Sequence, residues 1–113
     1  MLTLPTVATN ASGIYSVKYG GTRNYVLQLE IVTGDGRVMK VGNRALKRSS
    51  GYHLVDLICG SEGTLGIVTR ITLRLAGIPE GRKQVAFVFG DDIAAARAVS
   101  EMIRYGLDLA AIE

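Results

Sequence analysis

The 113-residue chain has a single cysteine, Cys59, and a single histidine, His53. One cysteine permits no internal disulfide, and one cysteine with one histidine falls short of a zinc site unless several carboxylates join in. Disulfide-stapled scaffolds and zinc modules are thereby excluded. Aromatic residues make up only 6% of the chain, and they are not interleaved with its cations as on a nucleic-acid stacking platform. No apolar run reaches the ~18–20 residues of a membrane span, and Met1-Leu2-Thr3-Leu4-Pro5 lacks the basic region and long apolar stretch of a secretory signal. These absences predict a soluble, cytoplasmic chain with neither a nucleic-acid partner nor a membrane span. No Gly-Lys pair occurs, which excludes a Walker A loop.

What is present is one domain's worth of chain at most, 48% apolar and 20% charged, with enough hydrophobicity to bury a core. Fourteen glycines, about one residue in eight, point to tight turns or to close approach of backbone to a ligand. The net charge of +3 conceals an asymmetry. Residues 1–83 carry eleven basic and five acidic side chains, and residues 84–113 carry two basic and five acidic. A boundary is expected near Pro79-Glu80-Gly81-Arg82-Lys83. The cations of the first part (Arg37, Lys40, Arg44, Lys47, Arg48, Arg70 and Arg74) are scattered, which suits an anionic small ligand or a solvated face.

Local patterning predicts an α+β chain. Residues 1–25 lack a clean period and read as loop, with a helical turn near Asn10 to Gly13. Leu27, Leu29 and Ile31 alternate with Gln28 and Glu30, then come Gly34-Asp35-Gly36 and Arg37 to Val41, the pattern of a β-hairpin. Leu54, Leu57 and Ile58 at helical spacing before Gly60 give a short helix with a glycine stop. In the next strand Ile67, Thr69, Ile71, Leu73 and Leu75 share one face and Val68, Arg70, Thr72 and Arg74 the other. Val85 to Phe89 reads as a strand. Asp91 or Asp92 caps a helix with apolar positions Ile93, Ala96, Val99 and Ile103 and a stop at Gly106, and Leu109 to Ile112 opens another strand. This β-α-β unit is cut off at Glu113, so the native polypeptide is expected to continue.

The glycines at 60, 63 and 66 surround Ser61, Glu62 and Thr64 in a spacing that is not the Rossmann G-x-G-x-x-G. Backbone free of side chains lets amides approach a flat or anionic group directly, and Ser61, Thr64 and Thr69 add hydrogen-bonding hydroxyls.

Five segments together carry a resemblance: Ala8-Thr9-Asn10-Ala11-Ser12-Gly13; Lys18-Tyr19-Gly20 with Thr22-Arg23; the strand from Val26 to Thr33 ending in Gly34-Asp35-Gly36; Gly51-Tyr52; and Gly60-Ser61-Glu62-Gly63-Thr64-Leu65-Gly66-Ile67-Val68-Thr69. In order and spacing, over roughly residues 7–80, they resemble the second half of the FAD-binding domain of the FAD-linked oxidases, the vanillyl-alcohol-oxidase or p-cresol-methylhydroxylase type. Within that family the likeness is to glycolate oxidase FAD subunits and to D-lactate and D-2-hydroxyglutarate dehydrogenases. The resemblance implies the second subdomain of an FAD-binding domain, mainly antiparallel sheet with short helices, over residues 1–80. Residues 81–113 would then begin a ferredoxin-like cap domain that supplies the substrate site.

By the same resemblance the cofactor is FAD, the substrate a 2-hydroxy acid such as glycolate or D-lactate, and the reaction a hydride transfer to flavin N5. Thr9, Asn10, Ala11, Ser12 and Gly13 match the loop along the flavin and pyrophosphate. Glu62, Gly63, Thr64, Leu65, Gly66, Ile67 and Val68 match a segment whose backbone meets another part of the cofactor. The expected partners are FAD, the remainder of the FAD and cap domains or a self-associated copy, and an iron–sulfur electron-transfer subunit. No catalytic or metal-binding residue is assigned within the chain. A second possibility is a non-catalytic truncated remnant that self-associates through uncovered sheet.

The sequence also departs from the family. Met1 to Val7 stand where a Gly-Gly-Asn stretch is usual, the upstream glycine-rich phosphate loop is missing, His53 replaces an aspartate after Gly-Tyr, and Asn24 replaces another after Thr-Arg. Half of the cofactor grip is therefore expected to be absent. Tyr15, Tyr19, Tyr25 and Tyr52 are either flavin-lining or packing residues, and His53 and Cys59 read as structural. Arg23 either neutralises phosphate or pairs with an acidic neighbour such as Asp56.

Overall fold

The computed structural model describes residues 4–47 and 49–112. Readings that rest on Met1 to Thr3, Arg48 or Glu113 lie outside the described residues. The elements are α1 (Leu4–Ala8), α2 (Ser16–Tyr19), a 3-10 turn (Thr22–Tyr25), β1 (Val26–Val32), β2 (Val38–Gly42), α3 (Leu54–Ile58), β3 (Ile67–Leu73) and α4 (Asp92–Arg104). The chain is α+β, as its patterning predicts.

The hairpin forms where the alternation places it. β1 and β2 pair antiparallel with Leu29 opposite Val41 and Val32 opposite Val38. Its turn is held from within: the Gly36 N–H donates to the Thr33 carbonyl (2.9 Å) and the Thr33 hydroxyl to the Asp35 carboxylate. β3 adds antiparallel to the other side of β1, giving the order β2-β1-β3.

β3 does not bury the face that simple alternation selects. Glu30 pairs with Arg70 and Ile31 with Val68, so β3 has one extra residue, Thr69, at that step. Such a bulge reverses the inside-outside parity of everything beyond it. Val68 therefore enters the core at 8% exposure beside the half-buried Ile71 and Leu73, while Ile67 faces out at 68%. The Thr69 hydroxyl, released from the regular ladder, donates to the Glu30 carbonyl (3.2 Å). A matching irregularity at Leu27 on β1 puts Val26, rather than Leu27, into the core.

Three other expectations change. The helical turns of the first 25 residues lie at 4–8 and 16–19, flanking Asn10 to Gly13, which form the loop between them. α3 buries Val55 and Ile58, and leaves Leu54 and Leu57 exposed. Val85 to Phe89 and Leu109 to Ile112 form no strand, because among the described residues neither has a ladder partner. α4 forms as expected: the Asp91 carboxylate accepts from the Ala94 N–H at 2.7 Å, and Gly106 follows its end.

The core consists of Val7, Val26, Leu29, Ile31, Val41, Val55, Ile58, Cys59 and Val68. Each fully buried aliphatic side chain contributes roughly 1.5–3 kcal/mol. No described residue beyond Val68 is buried. Residues 74–93 are exposed throughout, and the molecule measures 59 × 26 × 26 Å.

Candidate functional site

The two glycine-containing segments that the sequence picks out, Thr9 to Gly13 and Glu62 to Val68, start from neighbouring backbone. α1 ends at Ala8, and Asn10 turns the chain with φ 49° while the Ala11 N–H returns to the Thr6 carbonyl (3.0 Å). Fifty residues later the chain leaves α3 and comes back past α1. There the Gly60 N–H donates to the Val7 carbonyl (3.1 Å) and the Glu62 N–H to the Ala8 carbonyl (2.9 Å). These two rungs place the start of the second segment against the start of the first.

The 3-10 turn ties the same junction from the side. The Thr22 hydroxyl donates to the Ala11 carbonyl (2.5 Å), and the Arg23 N–H donates to the Asn10 side-chain Oδ1 (3.0 Å). The Arg23 guanidinium donates through Nη2 to the Cys59 carbonyl (2.9 Å). Of the two roles open to Arg23 in the sequence, pairing with Asp56 is not the one seen; the Asp56 carboxylate lies 3.6 Å from His53 Nδ1. Asn24, standing where an aspartate is usual, accepts the Gly21 N–H at 2.9 Å and so keeps a local hydrogen bond without the charge.

The glycines divide by role. A Cβ on Gly66 would lie 2.9 Å from the Val32 carbonyl oxygen, and the residue is buried with φ 151°, so the fold itself requires glycine there. Gly60, at φ 87°, would bring a Cβ 3.2 Å from that of Asn10. Gly13 and Gly63 have nothing within 4 Å of a Cβ, and both are exposed. The amides of Ser12, Gly63 and Leu65 donate to no acceptor among the described residues. Open space beside glycine and uncommitted N–H groups are what a large anionic ligand needs from main chain.

Side chains divide similarly. Thr9, Ser12, Glu62, Thr64 and Leu65 are exposed, and Asn10 and Ala11 half-buried. Val68 belongs to the core and offers only backbone, itself paired with Ile31. Thr64 is folded back on its own turn, its hydroxyl on the Ser61 carbonyl at 2.6 Å. Glu62 is the one titratable group among the twelve candidate residues. The arrangement can hold a ligand by main-chain donors but supplies no general base aimed at a reacting atom.

Other candidates resolve as packing or surface. Cys59 is 1% exposed, and burial pushes its thiol above the ordinary range, as for a structural cysteine. Tyr52 is 94% exposed, while Tyr15 and Tyr25 lie against the guanidinium groups of Arg82 and Arg74 at 5.4 and 5.3 Å. A cavity of about 310 Å³ between β2 and α3, reached by Lys47, Ser49, Tyr52 and His53, includes none of the twelve. Among the described residues no group of three or more His, Cys, Asp or Glu is placed to hold a metal ion, and no helix is long and apolar enough to cross a membrane. The Val7 and Ala8 carbonyls, which anchor the second segment, have no signal in the sequence, because any residue type carries a carbonyl.

Comparison with known proteins bears on the family. No family model matches the chain. It is 55% identical over 69 residues to a D-lactate dehydrogenase of Archaeoglobus fulgidus, covering 61% of this chain and 16% of that one. It is 42% identical over 94 residues to glycolate oxidase subunit GlcD of Bacillus subtilis, covering 83% and 20%. Identity to an uncharacterized FAD-linked oxidoreductase of Mycobacterium tuberculosis is 40% over 101 residues, covering 89% and 22%. By sequence the chain belongs to the FAD-linked oxidase family. It spans about a fifth of the length of these curated relatives.

Proposed function

We propose that this chain forms one wall of an FAD site in a flavin-dependent oxidoreductase acting on a 2-hydroxy acid such as glycolate or D-lactate. The observation that carries the reading is the junction of residues 8–13 with 60–66, where uncommitted amides at Ser12, Gly63 and Leu65 and open space at Gly13 and Gly63 fit a dinucleotide held by main chain. Thr9 to Gly13 would lie along the flavin and pyrophosphate, and Glu62 to Val68 along another part of the cofactor. FAD held there would supply the two-electron acceptor, its N5 the site for hydride from the substrate α-carbon. The chain's own residues would bind and orient it, and no catalytic residue is assigned among the twelve.

Residues 1–80 form the partial FAD-binding subdomain in this reading, and residues 81–113 the beginning of the substrate domain. The absence of any buried described residue beyond Val68 supports the division. The Bacillus relative is named as a subunit, which supports a partner chain; an iron–sulfur protein would take the electrons onward.

The test is titration of isotope-labelled chain with FAD, followed through backbone amide resonances. Affinity is built from contacts to both ends of the dinucleotide, so binding is expected to be weak, with shifts confined to Thr9–Gly13 and Glu62–Val68. Shifts centred elsewhere, or none at about 1 mM FAD, would sink the proposal.

A second reading, a non-catalytic chain that self-associates, is favoured by one observation. Val85, Phe87, Val88, Ile93 and Ile103 are 59–99% exposed. Uncovered apolar surface of this kind promotes association. Light scattering across a concentration series distinguishes the two: a monomer at all concentrations removes the second reading.

A further inference from the structure

We infer that Arg23 is a positioning residue that sets the spacing between the two cofactor-binding segments and so preforms the site. The inference rests on the FAD reading above. Four hydrogen bonds converge on Arg23 and the residue before it. The Arg23 N–H holds the Asn10 side chain, the Thr22 hydroxyl and N–H hold the Ala11 carbonyl, and the guanidinium crosses to the Cys59 carbonyl. The first segment is thus gripped at residues 10 and 11 and the second at residue 59, immediately before its Gly60 and Glu62 rungs.

A guanidinium suits this task. It is planar and permanently charged, and a hydrogen bond from a charged donor to a carbonyl is stronger than a neutral one. Gly60 lies beside it, with Arg23 Nη2 3.7 Å from where a Gly60 Cβ would sit. Asn10 meets the clamp in a left-handed conformation, φ 49°, which asparagine tolerates better than most residues and which turns Oδ1 toward the Arg23 N–H. Without the guanidinium, the hydrogen bonds joining the two segments among the described residues would be the Gly60 and Glu62 rungs, and these would open more often.

The experiment uses the 113-residue chain and its Arg23→Lys and Arg23→Ala variants. Amide hydrogen exchange is read at Gly60 and Glu62 and, as an internal control for folding, at Leu29 and Ile31 in β1. FAD affinity comes from the amide shifts of Ser12, Gly63 and Leu65. Loss of one charge-assisted hydrogen bond is expected to speed exchange at Gly60 and Glu62 by about tenfold or more in Arg23→Ala, with β1 unchanged. Arg23→Lys should restore part of that protection, and FAD affinity should fall in the same order. Unchanged exchange at Gly60 and Glu62 in Arg23→Ala overturns the inference. So does exchange that quickens while FAD affinity stays constant, because a clamp that merely braces the fold would give that result. If Arg23→Lys keeps full FAD affinity with exchange as fast as in Arg23→Ala, charge rather than position is at work, and the inference again fails. Should the unsubstituted chain show no FAD shifts at all, the FAD reading fails; the exchange arm still reports whether Arg23 sets the spacing.

Discussion

Residues 4–74 and 75–112 differ in a way opposite to their composition. The second stretch is the richer in apolar residues, yet the core lies wholly in the first. Leu29 is 0% exposed, whereas Val88 is 99% exposed and Phe87 66%. Hydrophobicity creates the incentive to bury, and burial itself needs a partner surface. β1 has one on each side, because β2 and β3 both return to it. Residues 85–89, patterned as a strand, have none among the described residues, and α4 folds on its local cap and period.

The largest test of that contrast is a pair of truncations. Leu29→Ala should cost about 2–5 kcal/mol in chemical denaturation, by lost transfer energy and the cavity left behind. Phe87→Ala should leave the midpoint where it was. A comparable loss from Phe87 would mean that the second stretch shares the core and would break the comparison.

Gly66→Val and Gly77→Ala sharpen it through backbone. Gly66 is buried with φ 151° and the Val32 carbonyl 2.9 Å from a would-be Cβ, so valine there should cost about 1–3 kcal/mol through strain, and more if the strands must part. Any loss of flavin in that variant would come through the displaced sheet, since the crowding atom is protein rather than ligand. At Gly77 nothing lies within 4 Å and φ is unremarkable, so alanine should be neutral or stabilise by up to about 1 kcal/mol. Thermal melts of both variants decide it.

Cys59→Ala is expected to cost about 1 kcal/mol, the usual size for a small buried substitution, and to leave the site's backbone in place. The thiol also gives a pH signature. Burial raises its folded-state value above that of the unfolded chain, so its contribution is fully present below the unfolded value, near 9.0, and declines as pH rises through the higher folded value. Stability of the unsubstituted chain should therefore fall on the alkaline side of that point more steeply than stability of Cys59→Ala. Parallel curves would show that Cys59 is not buried in solution.

The smallest effect concerns a link between the two stretches, the ion pair of Lys18 with Asp108 at 2.5 Å. The Asp108 side chain is 80% exposed, so Asp108→Asn should not shift the denaturation midpoint. It should instead let the second stretch swing out, seen in solution scattering as a radius of gyration above the 18.3 Å of the described structure. An unchanged radius would show that other contacts hold it.

Legibility followed the range of the interactions. The hairpin turn at Gly34-Asp35-Gly36, the short helix before Gly60 and the Asp91-capped helix were readable because their hydrogen bonds close within a few residues. The faces of β3 and α3 were not. Alternation put Ile67 inside and Val68 outside, and the bulge at Thr69 exchanged them; helical spacing chose Leu54 and Leu57, and packing chose Val55. Thr9 to Gly13 and Glu62 to Val68 could be picked out through their likeness to the FAD-linked oxidases, but not their junction. The bonds from Gly60 and Glu62 to Val7 and Ala8, and from Arg23 to Cys59, end on main-chain carbonyls, which every residue type possesses.

By itself, then, the amino-acid sequence determined the hairpin, the short helix before Gly60, the Asp91-capped helix and the family, because propensity, capping and glycine chemistry act over a few positions. Only the tertiary structure decided which side of β3 faces the core, that Gly66 is required by Val32, and that residues fifty apart lie side by side. Those outcomes depend on backbone hydrogen bonds between distant segments, and such bonds are blind to side-chain identity.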